Sequence, residues 1–320
     1  MIGFSGVHIT FITMFKSLIF CGLMLLTGRV TGQREIKPCQ KEPAFIQQYG
    51  LDPLWSALST SEKHRMGLVL VELIKTGTEA KPSLNSFRGR IFQDSSWKKA
   101  AWLSGISLDA AGNVYTIPAP LVSVLDNPPQ NQNSIFRVDA QTGIMQKWLQ
   151  LPLKKYESGN SPFGLMGISF DCTSGTLFAA SIAGSKRFVE KGIVYAVDAG
   201  TRKLKDSLVG MDVIGMTLYF DAIGNKRLLF GKARTGEIWS VMIDKNARFL
   251  KKTLQLELSL EGLGPRGDDK ARKIRFTNGI LSINGIAFNY NLQASSEKPE
   301  TVYDFKWNQS TKKWELVNLY

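Results

Sequence analysis

Histidine is almost missing from this 320-residue chain, which has two, His8 and His64. Zinc centres built on several histidines are therefore excluded. A Ser-His-Asp device in a chain trimmed at its N-terminus would have to rest on His64 alone. Cysteine is nearly as scarce, with three. Acidic residues are outnumbered, 27 against 40 lysines and arginines, and the formal net charge is +13. Such an excess draws anionic partners, or serves solubility alone, and says nothing about fold. Nucleic acid gains support only from that charge, because no reader motif accompanies it. No recognised catalytic motif stands out, and most apolar runs are too short for helices.

The exception is the N-terminus. Met14 offers a start, Lys16 a positive n-region and Leu18 to Leu26 an apolar h-region, with Val30-Thr31-Gly32 ahead of a cut before Gln33. That is the pattern of a secretory signal. The rival is an uncleaved anchor from Ile2 to Thr27, which Lys16 interrupts. A lipid on Cys21 is disfavoured by the bulky Phe20 before it. The division expected is a signal at 1–32, a tail or closing segment at 33–50 and one large domain at 51–320. The protein is expected to be secreted, periplasmic or extracellular, with no membrane span after signal removal. Cys39 and Cys172 then remain, either as a disulfide or as two thiols.

What the chain has in abundance is short β-type runs separated by Asp, Gly and Thr turns. The stretch from Gly164 to Leu208 shows the pattern most clearly. Leu-Met-Gly-Ile-Ser-Phe-Asp, Thr-Leu-Phe-Ala-Ala-Ser-Ile, Gly-Ile-Val-Tyr-Ala-Val-Asp and Lys-Leu-Lys-Asp-Ser-Leu are four strands in sequence. The same cycle starts at Ser104, Gly215 and Lys273. An earlier unit is read by aligning Trp55–Ser59 and Gly67–Val71 with the second and third strands, and Phe87–Phe92 with the fourth. A helix over Pro53 to Ile74 is the competing reading there. Five units of about fifty residues predict a closed radial repeat, in which stacking buries faces that no unit can bury alone. The expected fold is all-β, a β-propeller of five to six four-stranded blades; the alternative is an irregular β-sandwich. Asp109, Asp171 and Asp221 recur at equivalent turns, which assigns them to turn hydrogen bonding and not to catalysis.

The phrase Ser104-Gly-Ile-Ser-Leu-Asp-Ala-Ala-Gly-Asn-Val-Tyr115 resembles the blade signature of NHL-repeat and SMP-30/gluconolactonase-like β-propellers. Ile135-Phe-Arg-Val-Asp139 with Thr142-Gly143 is similar to the outer half of such a blade. The resemblance covers residues 54 to 320. It implies, for the lactonase branch, a divalent cation such as calcium held on the axis by hard oxygen ligands. Asn284-Gly-Ile-Ala-Phe288 matches one motif of that branch formally. The expected Asp-Gly turn after it and the Glu-Gly-Pro start of the first blade are absent.

In a propeller of this kind one face is built from the loops between second and third strands and from the links between blades. On this chain those loops carry Lys98, Lys99, Lys154, Lys155, Lys186, Arg187 and Arg234, an expected electropositive mouth. The long amide-rich loop contributes Asp126, Asn127, Asn131 and Asn133, suited to sugar hydroxyls, or to turn formation alone. The function expected is a secreted or envelope-facing scaffold that binds an anionic small molecule, a glycan or an envelope protein. The alternative is a metal-dependent hydrolase of lactones or esters.

Overall fold

The computed structural model describes residues 39, 41–60, 62, 65–75, 87–120, 124–152, 161–292 and 300–320. The signal call at 1–32, the tail up to residue 38, and Lys63, His64, Lys154 and Lys155 lie outside them.

The described chain is all-β apart from one short helix, α1 (Phe45–Gln48), and isolated 3-10 turns. Blade I holds β1 (Ser56–Ser59), β2 (Val69–Lys75) and β3 (Phe87–Phe92). Blade II holds β4 (Leu103–Leu108), β5 (Val114–Pro118), β6 (Ser134–Val138) and β7 (Met145–Gln150). Blade III holds β8 (Leu165–Asp171), β9 (Thr176–Ser181), β10 (Ile193–Asp198) and β11 (Leu204–Val209). Blade IV holds β12 (Val213–Phe220), β13 (Lys226–Lys232), β14 (Glu237–Met242) and β15 (Gln255–Ser259). Blade V holds β16 (Lys270–Thr277), β17 (Ile280–Ile286), β18 (Thr301–Asn308) and β19 (Lys313–Leu319). Every pairing is antiparallel between consecutive strands. The molecule is a β-propeller.

The side-chain period of two explains why blades stack. In β9, Leu177 and Ala179 pack with Tyr115 and Ile117 of blade II, while Phe178 and Ala180 pack with Val213 and Phe230 of blade IV. One fully buried strand thus feeds two interfaces, and each large apolar side chain it buries contributes roughly 1.5–3 kcal/mol. Comparable clusters join blades I to II and IV to V. No described cluster joins blade V to blade I.

Inner strands approach closely where glycine recurs. A Cβ on Gly215 would lie 2.5 Å from the Ala271 carbonyl oxygen, and one on Gly105 would lie 2.8 Å from Ile168 Cγ2. Gly105, Gly167 and Gly215 each stand two residues into their strand. At that place in blade V stands Arg272.

Blade I departs from expectation. Leu58, Ser59 and Thr60 line the axis beside β4, β8, β12 and β16, so β1 is the innermost strand and not the second. Within the expected tail or closing segment, Ala44 caps α1 and Phe45 and Ile46 belong to it. Residues 93–102 link blade I to blade II, and their 3-10 turn Ser95–Lys98 locks onto blade II. Trp97 Nε1 donates to the Gly143 carbonyl at 2.7 Å, and Met145 N to Ser96 Oγ at 2.9 Å. Trp97 is wholly buried, an anchor that sequence alternation does not reveal.

The tight turns follow one rule. Asp109 Oδ1 accepts from Ala111 N and Asn113 N at 2.9 Å, and Asp221 Oδ1 accepts from Ile223 N and Asn225 N at 3.1 and 2.8 Å. Asp171 accepts from Thr173 N at 3.1 Å and also from Lys226 Nζ at 2.9 Å. These carboxylates hold turns.

Candidate anion site in the axial channel

The five inner strands enclose a channel of roughly 650 Å³. Cys39 lines it at the tight-turn end and is joined by a disulfide to Cys172, with Cα atoms 5.7 Å apart. The loop after β17 leaves blade V and crosses the other end. Phe288 packs on Phe163 with ring centroids 5.6 Å apart. Tyr290 joins Ile182, Ile214 and Ala233, with Met166 and Leu292 alongside. Met166 and Ile214 also line the channel, so this strap sits on its mouth.

Charge in the lining comes from one strand. β16 contributes Arg272, Lys273 and Arg275, and the lone carboxylate among the described lining residues is Glu300. Ser107, Ser169, Thr217 and Thr277 add hydroxyls around the ring. The pairing of β16 with β17 slips between Ala271 and Lys273. Such a bulge re-aims consecutive side chains. Arg272 Nη1 and Lys273 Nζ accordingly reach the same Glu300 Oε1, at 3.6 and 3.7 Å. Asn284 Nδ2 donates to Glu300 Oε2 at 2.9 Å. Two cations thus face one carboxylate, with Arg275 two residues further along the same strand. Burial, reinforced by Arg272 and Arg275, pulls the Lys273 ammonium below the ordinary lysine range, against the opposing pull of Glu300.

Of the expected loop cations that are described, Arg234, Lys186 and Arg187 lie together, Arg234 donating to the carbonyls of the other two. Lys98 and Lys99 are exposed beside the Trp97 turn. Arg234 is largely spent: it donates to Asp212 Oδ2 at 3.0 Å, stands 3.8 Å from Glu190 and lies over the Tyr290 ring at 4.9 Å. Lys186 is half-buried and Arg187 exposed.

The amide loop also turns inward. Asn127 is 3% exposed; it accepts from Trp102 N at 3.1 Å and donates to Trp102 O at 3.0 Å. Asn133 is 1% exposed; it donates to Pro152 O and accepts from Ser181 Oγ, both at 2.7 Å. Asp126 accepts from the Trp102 indole at 3.1 Å, and Asn131 from Lys147 at 3.2 Å. The two buried amides spend their side chains on backbone groups of Trp102 and Pro152 and on Ser181.

No group of three or more His, Cys, Asp or Glu that could hold a metal occurs among the described residues. Asn284, in the motif shared with the lactonase branch, spends its amide on Glu300. Sequence reasoning opened the last unit at Lys273 and left Arg275 out of the expected site. The usable signal was the alternation Lys273-Ile-Arg-Phe-Thr277, which marks a strand with one charged face.

No family model matches the chain, and no curated protein matches it. Among solved structures it is similar to a protein from Lactobacillus plantarum, with 10% identity and a TM-score of 0.43 over 84% of this chain and 82% of that one. It is also similar to an endo-arabinase from Bacteroides thetaiotaomicron, with 13% identity and a TM-score of 0.38 over 64% and 76%. A glucose dehydrogenase gives 13% identity and a TM-score of 0.39 over 72% and 74%. At such distance these likenesses bear on neither activity nor ligand.

Proposed function

We propose that this protein is a secreted or envelope-facing binding propeller whose axial channel takes an anionic small molecule. The observation that carries the reading is the convergence of Arg272, Lys273 and Arg275 on an axis with one described carboxylate, Glu300. A concave site of one sign, walled by protein, focuses its field on the opposite charge. Guanidinium groups suit carboxylate and phosphate oxygens because their N–H groups match them in pairs. A calcium-dependent hydrolase would need carboxylates where this axis carries cations. The Cys39–Cys172 bridge supports export, since such bonds persist in oxidising compartments. No helix among the described residues is long and apolar enough to cross a membrane.

The test is calorimetric titration with phosphate, citrate and a neutral polyol, repeated on Arg275→Gln and Lys273→Gln. The account expects binding of the anions only, weakened at least tenfold by either substitution and by added salt. Equal binding of the polyol, or anion affinity indifferent to both substitutions, would refute it.

A further inference from the structure

A second cleft of roughly 270 Å³ lies between the loop after β9 and the strap after β17. Lys186 and Val189 exchange two backbone hydrogen bonds, 2.9 and 3.1 Å, which makes Lys186–Val189 a tight hairpin with Arg187 and Phe188 at its tip. Phe188 is 86% exposed. One wall of the cleft is this tip; the other is Asn289, Tyr290 and Asn291.

Both walls hang from one buried carboxylate. Asp212 is wholly buried. Ser185 Oγ, at the base of the hairpin, donates to Asp212 Oδ1 at 2.6 Å, and Tyr290 OH donates to Asp212 Oδ2 at 2.6 Å. Arg234 bonds the same carboxylate and also donates to the Lys186 and Arg187 carbonyls at 2.7 and 2.6 Å. The exposed ring is thus held out on a pinned support, where a phenyl group gains nothing from folding. Preorganised aromatic surface of this sort serves recognition, because little freedom is lost on binding. The nearby carboxylates, Asp212 and Glu190, are engaged by Arg234. Lys186 and the exposed Arg187, whose guanidinium lies 5.3 Å from the Phe188 centroid, give the rim its positive charge.

We propose that this cleft is a binding site for an acidic sugar, a hexuronate. The C–H face of a pyranose packs on Phe188, the amides of Asn289 and Asn291 meet ring hydroxyls, and the carboxylate lies against Arg187. The volume suits one pyranose ring rather than a long chain. The site is independent of the axial channel and shares no residue with it.

The test uses saturation-transfer NMR and titration with methyl glucuronide, methyl galacturonide and methyl glucoside, on the intact protein, Phe188→Ala, Arg187→Gln and Arg275→Gln. Phe188 and Arg187 are exposed, so neither substitution threatens folding. The expected result is saturation of a uronide but not of the glucoside. Phe188→Ala and Arg187→Gln should each weaken uronide binding at least tenfold when introduced beside Arg275→Gln, which disables the axial anion site. No saturation of either uronide, equal binding of the glucoside, or indifference to Phe188→Ala would overturn the proposal. Loss of uronide binding only in Arg275→Gln would overturn it too, by moving the ligand to the axis.

Discussion

The hydroxyl of Tyr290 donates at 2.6 Å to the buried carboxylate of Asp212, 78 residues away, and so ties the strap of blade V to the start of β12. Burial, with that carboxylate beside it, pushes the Tyr290 phenol well above its ordinary range. Asp269 repeats the device one residue before β16: Arg266 and Tyr303 both donate to it. Replacing Asp212 with Ala strands the Arg234 guanidinium and should cost about 3–5 kcal/mol. Tyr290→Phe removes only the bond and should cost about 1.5–3 kcal/mol. Urea unfolding midpoints check both, and equal values for the two variants would contradict the shared-carboxylate account.

The disulfide closes a loop with a sequence separation of 133. By the chain-entropy model such a closure contributes about 4–5 kcal/mol. Cys172→Ser should lower urea stability by that order in oxidising buffer. Reduction of the parent protein should bring it to the same level, and reduction of the variant should change nothing further.

Gly215→Ala places a methyl group against the Ala271 carbonyl oxygen and should destabilise by about 1–3 kcal/mol through overpacking. Gly200→Ala is the control, because its Cβ would meet nothing nearer than 3.5 Å, the Asp198 carboxylate. Thermal unfolding of both separates inner-strand packing from a general intolerance of alanine.

Acid sensitivity should trace in part to the outer turns. Backbone N–H groups, Thr142 first for Asp139 and Thr201 first for Asp198, hold these carboxylates below the ordinary 3.8. A carboxylate depressed in the folded state stabilises above its unfolded value, and that contribution is lost as pH falls through the folded one. The double variant Asp139→Asn, Asp198→Asn should therefore lose stability less steeply than the parent below pH 3.8. Unfolding midpoints measured across the acid range read this directly.

Blades II to V were legible because Ile-Ser-Phe-Asp or Val-Tyr-Ala-Val-Asp alternate cleanly and end on turn-forming aspartates. Blade I was misregistered because β1 is its innermost strand, and a run as short as Trp55–Ser59 fits the first or the second place in a blade equally well. The candidate site was legible in sign but not in place. Exposed loop lysines dominate a count of charges, whereas the converging cations sit on an inner strand and owe their common direction to a bulge. Asn127 and Asn133 were read both ways for a similar reason: an amide that bonds the backbone looks, in sequence, like one waiting for a ligand.

Lys273 supplies a pH signature. Its ammonium is held below the ordinary lysine value of 10.5, so anion affinity should fall as pH rises through a value below that. Lys273→Arg should flatten the fall, since guanidinium stays charged. An unchanged profile in the variant would remove Lys273 from the site.

The most direct measurement is a crystal soaked in selenate, with the anion located by its anomalous scattering. A peak on the axis within hydrogen-bond reach of Lys273 or Arg275 is the predicted result. Selenate confined to the outer loops, with the axis empty at saturating concentration, would contradict the account.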